Sequence, residues 1–253
     1  MKKPLFFTTL ATATAIQTHA QITISTLNSA YTENFDTLAI SGTTNSSLPA
    51  GWALTEAGGG ARDNEQYAAD TGASSTGDSY SYGSSGSSER AFGALRTGTL
   101  ISTLGAQFVN NTGETISMLS ISYTGEEWRL GVAARTDRLD FQYSTDAASL
   151  TTGSWTDADT LDFTTPNTVT TGAKNGNSSG NFTSISSSIT GLSIANGATF
   201  WIRWLDVDAS GADDGLAVDN FNLTAIPEPY EYALMAGIGL LGFAAWHRRH
   251  RLT

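Results

Sequence analysis

Thr199-Phe200-Trp201-Ile202-Arg203-Trp204-Leu205 is the stretch that decides the fold. Successive side chains of a strand point to opposite faces, so Phe200, Ile202 and Trp204 share one side and Trp201, Arg203 and Leu205 the other. The first set is a core face. The second carries an aromatic and a cation, and it has to meet a second layer or line a concave surface. The three central residues of the first set are too large for anything except the middle of a packed sheet, and this predicts a β-protein with bulk on both sides of the strand.

Working outward, short β-branched or alternating segments recur between clusters of Gly, Ser, Asn and Asp. Strands are expected at Ile22–Ser25, at Tyr31–Leu38 and from Trp52 after the turn Leu48-Pro49-Ala50-Gly51. Residues 56–90 are rich in Gly and Ser and poor in aliphatics. They read as a long surface excursion with short strands near Tyr67 and Tyr80–Tyr82. Ala106–Asn110 and Thr115–Thr124 flank Asn111-Thr112-Gly113, which reads as a hairpin turn. Leu139–Ser144, Thr160–Thr164, Ser184–Ile189, Thr199–Val207 and Leu216–Thr224 complete about a dozen strands, with no sustained helical period in the body. Many short strands without an internal repeat favour a two-sheet jelly-roll β-sandwich, an all-β fold, over a propeller or solenoid.

Both termini carry targeting features. Lys2 and Lys3, an apolar stretch from Leu5, and Thr18-His19-Ala20 before Gln21 read as a secretory signal peptide over residues 1–20, the substrate of a signal peptidase. At the other end, residues 227–253 run Pro227-Glu228-Pro229, an apolar run from Tyr232 to Trp246, then Arg248, Arg249 and Arg251. At 1.5 Å per residue the apolar run covers roughly 22 Å, and Tyr230, Tyr232 and Trp246 can extend it into the interfaces as a single transmembrane helix. Residues 21–226 are then one exported domain. The whole chain has 13 Lys and Arg against 24 Asp and Glu. Five of the basic residues and two of the acidic ones (Glu228 and Glu231) lie in the terminal segments, leaving the body at about −14. That field disfavours nucleic acid, which needs clustered cations, and suits cations or neutral sugars as partners.

There is no cysteine, and the three histidines are His19, His247 and His250. The exported body therefore has neither residue. Disulfides, Ser-His-Asp or Cys-His catalysis and conventional zinc sites are excluded from it, leaving carboxylates as the only enzymatic route.

The C-terminal order of Pro227-Glu228-Pro229, apolar helix and Arg cluster resembles the PEP-CTERM sorting signal of Gram-negative bacteria, departing from it in having Tyr230 and Glu231 where Ser or Thr is common. The resemblance covers about a tenth of the chain. It implies export, anchoring in the inner membrane, recognition and cleavage by an exosortase-type enzyme, delivery to the cell surface or matrix, and association with extracellular polysaccharide. The body, with Glu33-Asn34-Phe35-Asp36 early and Asp214-Gly215-Leu216-Ala217-Val218-Asp219-Asn220-Phe221 late, looks like exported bacterial jelly-roll modules of the carbohydrate-binding type. In that architecture the first and last strands lie side by side, which would bring these two acidic segments together.

Three constellations are candidate sites. Asp206, Asp208 and Ser210, followed by Gly211, Asp213 and Asp214, place oxygen ligands at alternate positions before a glycine, the first half of a calcium-loop pattern. Asp219 or Asp213 would complete the shell, and Glu33 or Asp36 could join it. The twelfth position is Ala217, so a complete EF-hand is ruled out, and an acidic turn is the plainer alternative. Glu126-Glu127-Trp128-Arg129 puts two adjacent glutamates on opposite strand faces, which does not make a catalytic pair. It reads as a strand end with a Trp–Arg stack and a surface ion pair, and Ser84–Arg90 as a loop with an ion pair. Trp128, Arg129 and Trp155, beside polar loops, are the candidate ligand-binding residues, although tryptophan is more often core than platform. No catalytic set emerges. A non-catalytic binding or matrix module is the leading expectation, with a carboxylate-based glycan hydrolase or lyase and a purely structural surface protein as alternatives.

Overall fold

The computed structural model describes residues 20–227. Residues 1–19 of the expected signal peptide, the apolar run 232–246 and the expected sorting residues Glu228, Pro229, Arg248, Arg249 and Arg251 lie outside the described residues. Among those described, no helix is long and apolar enough to cross a membrane.

Fifteen strands follow in order: β1 Ile22–Ile24, β2 Ala30–Glu33, β3 Trp52–Ala57, β4 Tyr67–Asp70, β5 Asp78–Tyr82, β6 Ala91–Leu95, β7 Ile101–Asn110 and β8 Ile116–Leu130, then β9 Arg138–Ser144, β10 Thr156–Asp157, β11 Phe163–Thr164, β12 Gly172–Ala173, β13 Phe182–Ile189, β14 Thr199–Asp206 and β15 Gly215–Pro227. One 3-10 turn, Asp159–Leu161, is the only helical element among the described residues. The first sheet runs β1-β7-β14-β9-β10, with β3 also on β7 and β11 on β9. The second runs β12-β8-β15-β6-β5-β4, with β13 also on β8 and β2 on β15. The two sheets pack as a β-sandwich around one main core drawn from both.

Strand β14 behaves as its alternation requires. Phe200, Ile202 and Trp204 all enter the main core, opposite Phe108, Ala106 and Leu104 of β7. Trp204 stacks on Trp52 with centroids 6.0 Å apart and meets Tyr123, Phe141 and Phe221 edge-on at 5.2, 5.1 and 5.7 Å. Aromatic rings bury large areas each, and they fill this core in place of a larger aliphatic complement. The expected neighbour relation also holds: β2 pairs with β15, with Glu33 opposite Phe221.

Three local expectations are corrected. The segment Tyr31–Leu38 is not one strand. It breaks after Glu33 because Phe35 adopts φ 56°, a conformation costly for a bulky residue, held by the Glu33 Oε1 that accepts the Phe35 N–H at 2.9 Å. Asn111-Thr112-Gly113 is not a hairpin turn, since β7 and β8 belong to different sheets. The buried Asn110 amide makes the step possible, donating to the Glu114 and Ile194 carbonyls at 2.8 Å while its oxygen accepts from the Thr112 hydroxyl. Residues 56–90 carry the two expected strands, as β4 and β5, and residues 57–61 are exposed, but the rest is not a surface excursion. Strand β5 is buried at all five positions. Its serines are satisfied internally, as Ser79 donates through N–H and hydroxyl to Glu56 Oε1, and Ser81 exchanges bonds with Ala39 O and Arg90 Nε. Low aliphatic content misled the reading because hydrogen bonds to neighbouring segments replaced hydrophobic patterning.

Glu56 thus ties β3 of one sheet to β5 of the other, and Asp78 sits beside it, paired with Arg62 at 3.0 Å. Burial pushes the Asp78 carboxyl up to about 7, with Arg62 opposing the shift and Glu56 adding to it. A carboxyl raised in the folded state contributes stability that is full below its ordinary value and is lost as pH rises through about 7. Asp78→Asn is expected to flatten the fall in melting temperature between pH 5 and pH 8, by an amount equivalent to at most about 3 kcal/mol. Calorimetric melting at matched ionic strength checks this; parallel pH profiles for the two proteins would contradict it.

Candidate functional site

One residue of the outward set of β14, the buried Trp201, lies in the lining of a groove on the outer face of the first sheet, packed with Ala53 and Leu150. The groove's volume is about 710 Å³, and its lining includes Ala53 and Thr55 of β3, Gln107 of β7, Trp201 of β14, and Ser149, Leu150 and Thr151 of the loop after β9. Trp201 lies opposite Gln107, and Arg203 lies opposite Gly105 on one side and Gln142 on the other. This size is in the range of small-ligand sites, and the lining mixes apolar surface with hydroxyls and amides.

The loop wall is held by its own polar groups. Asp146 Oδ1 accepts from Ser154 N–H at 2.7 Å and Ser144 Oγ at 2.8 Å, and Thr152 Oγ1 accepts from Ala148 and Ser149 N–H. These bonds, led by that from Ser154, lower the Asp146 carboxyl below its ordinary value. Gly105 lets the loop lie flat on the sheet: a Cβ there would stand 2.2 Å from Ile202 O and 2.7 Å from a Leu150 methyl. Trp155 follows this loop but is not among the residues lining the groove. Its ring lies 3.8 Å from the Arg203 guanidinium, and its indole N–H donates to Thr152 O. Arg203 also donates to Gln142 Oε1 at 2.7 Å. Trp155 is therefore a half-buried cation–π partner of Arg203, outside the residues that line the groove.

Trp128 is a correction. It is 1 % exposed, stacked at 5.9 Å on Tyr82 within a satellite core on the outer face of the second sheet. Its N–H donates to Glu126 Oε2 at 2.8 Å, and Gly176 lies so close that a Cβ would come within 2.4 Å of the indole nitrogen. No ring face is free for a ligand. Arg129 is spent on the carbonyls of Gly72 and Ala73, so the expected Trp–Arg stack is absent. The expected surface ion pair is absent too, because Glu126 and Glu127 are buried inside β8. They do face apart: Glu126 meets Trp128, whereas Glu127 Oε2 accepts from Asn167 N–H at 3.0 Å. Burial raises Glu127 to about 7. Nor do Glu89 and Arg90 pair, since Arg90 donates to Ser81 and Asp70 and Glu89 accepts from the Asn177 amide.

The six residues expected around calcium divide between different surroundings. Asp208 and Ser210 are exposed. Asp214 is fully committed to protein donors, Gly131 N–H and Arg135 on Oδ1 and Thr165 Oγ1 on Oδ2, at 2.6–2.9 Å. Asp206 accepts from Arg96 N–H at 3.1 Å, and burial, reinforced by Asp137 and Asp213, raises it well above its ordinary value. Asp213 accepts from Ala209 N–H at 2.9 Å. Asp219 stands in a separate group. Among the described residues, Glu89, Glu126 and Asp219 are the three acids whose carboxylate oxygens come within 4.8 Å of one another. Strand order explains the meeting, because β8, β15 and the segment entering β6 are adjacent. Glu89 escaped the sequence reading, having no local pattern that ties it to residues on two distant strands.

No family model matches the chain, and no curated protein matches it. Among solved structures it is similar to the K3 cleaved adhesin domain of Lys-gingipain from Porphyromonas gingivalis, at 12 % identity over 70 % of this chain and 92 % of that one, with a TM-score of 0.40. It is similar to the CBM22-1 xylan-binding domain of Xyn10C from Paenibacillus barcinonensis, at 9 % identity over 81 % and 99 %, with a TM-score of 0.36. A third is the enzymatically active domain of tailspike protein 4 of bacteriophage CBA120, at 9 % identity and a TM-score of 0.35, of which this chain spans 19 % of the length. Scores at this level transfer no residue role to the present chain.

Proposed function

We propose that the chain is an exported, non-catalytic binding module whose jelly-roll sandwich holds a neutral extracellular polysaccharide in the groove on its first sheet. The groove carries the reading: about 710 Å³, with hydroxyl and amide groups over a floor in which Trp201 is buried, packed against Ala53 and Leu150. Glu65 is the one carboxylate in that lining among the described residues, whereas glycoside hydrolysis uses a pair of carboxyls roughly 5–9 Å apart. This favours binding over turnover. The acidic body favours a neutral polymer over an anionic one. In this reading the leader and the PEP-CTERM-like tail deliver the module, through signal peptidase and an exosortase-type enzyme, to the cell surface or matrix.

The test is affinity electrophoresis of the full chain in detergent against neutral galactan, xylan and dextran, with alginate as the anionic comparison. Retardation by at least one neutral polymer, absent with alginate, is expected. Gln107→Ala combined with Thr55→Ala should weaken it at least tenfold with an unchanged melting temperature, since both side chains are half-buried in the groove wall. Equal retardation of wild type and double variant would move the site elsewhere. Release of reducing sugar would favour the hydrolase reading instead.

A further inference from the structure

The outer face of the second sheet, remote from the groove's sheet, concentrates negative charge that the protein does not neutralise. Glu89, Glu126 and Asp219 bring carboxylate oxygens within 4.8 Å of one another. Asp219 is 3 % exposed; its Oδ2 accepts the Asn220 amide at 2.6 Å, while its Oδ1 has no hydrogen-bond donor. Glu89 Oε1 is likewise buried without a donor, and Glu126, 2 % exposed, receives the Trp128 indole N–H on Oε2. Asp36 adds a fourth carboxylate nearby, held by Arg90 N–H at 3.1 Å and by the Asn34 amide at 2.7 Å. Arg90 is the nearest cation to Glu89, but its guanidinium turns away to Ser81 and Asp70. No cationic side chain lowers Glu126 or Asp219. Buried charges without a partner are costly, and three of them facing one another cost more than one.

We propose that Glu89, Glu126 and Asp219 bind a divalent cation of the calcium class that ties together β8, β15 and the entry to β6. Three carboxylates supply hard oxygen ligands of the type calcium takes, with water filling the rest of a shell of six to eight. Magnesium, which holds its waters and demands octahedral geometry, fits a convergent carboxylate set less well. The ion replaces the repulsion among these acids with attraction, and Trp128, bonded to one ligand, lies within energy-transfer distance of it. The site is distinct from the loop at residues 206–214.

Two measurements on the full chain test the assignment. Terbium, a calcium mimic, should show emission sensitised by tryptophan excitation and be displaced by calcium. Calcium at a hundredfold excess over its dissociation constant should raise the melting temperature by roughly 5–11 °C relative to chelator. Glu126→Gln with Asp219→Asn should abolish both responses and, in chelator, melt above the wild type because two repelling charges are gone. That rise shows the double variant folded. Asp213→Asn, in the acidic loop, should retain both responses. Loss of the responses in Asp213→Asn with retention in the double variant would place the ion in the loop, and a wild type indifferent to calcium and terbium would overturn the proposal.

Discussion

Trp204→Ala is expected to lower the melting temperature by roughly 6–20 °C, the shift that corresponds to a loss of about 3–5 kcal/mol in a domain of this size. Trp204 is 1 % exposed and central to the sandwich. Its ring joins Trp52 of β3, Phe141 of β9 and Phe221 and Tyr123 of β15 and β8, so both sheets lose packing at once. Alanine leaves a cavity that the four aromatic neighbours cannot close, and cavity volume adds to the lost transfer energy. Trp204→Phe should retain more than half of the lost stability. Trp155→Ala, at a half-buried surface stack with Arg203, should cost no more than about 1 kcal/mol. Denaturant unfolding of the three variants orders them; equal losses for Trp204→Ala and Trp155→Ala would refute the placement of the core.

Asp214→Ala is expected to cost about 3–5 kcal/mol, because it leaves the Gly131 N–H, the Thr165 hydroxyl and the half-buried Arg135 guanidinium without their shared buried acceptor. Asp214 is fully buried and binds the Gly131 N–H at 2.7 Å, Arg135 at 2.9 Å and Thr165 Oγ1 at 2.6 Å. Its own N–H donates to Asp137 Oδ2 at 2.8 Å, and Arg135 also pairs with Asp137 at 3.5 Å. The cluster fastens the end of β8 to the start of β15 and to the segment after β11. The loss should be the same in calcium and in chelator, since every oxygen of Asp214 already has a protein donor. Asp208→Asn should be neutral within about 0.5 kcal/mol, its exposed carboxylate lying 3.7 Å from Arg96. Thermal melts in both media check the pair. A loss at Asp214 that appears only with calcium present would restore the loop as an ion site.

These two residues also mark what the sequence made legible. Trp204 announced itself through alternation: a seven-residue strand with aromatics on both faces fixes which side is core, and the same logic put Trp201 and Arg203 on the opposite surface. The meeting of Glu33–Asp36 with the last strand followed from architecture and is present as the β2–β15 ladder. Asp214 could not be separated from its neighbours by spacing. Five aspartates between residues 206 and 219 look alike in one dimension, yet one is a structural anchor, one is exposed, and one faces glutamates of other strands. Which carboxylate finds a protein donor depends on Gly131, Arg135 and Thr165, all far away in the chain. Trp128 was misplaced for a related reason. Its polar neighbours in sequence suggested exposure, whereas in space Tyr82 and the segment at Gly176 cover it. Asn111-Thr112-Gly113 carried hairpin chemistry, and only the buried Asn110 amide reveals that the turn crosses between sheets.

The central claim is that a neutral glycan lies along the first sheet, and a crystal structure of the protein soaked with an oligosaccharide of the retarding polymer tests it most directly. The account predicts sugar density in the groove between the sheet and the loop at Ser149–Thr151, with hydrogen bonds to Gln107 and Thr55. Density on the second sheet, or between two carboxylates with the glycosidic bond cleaved, would contradict it.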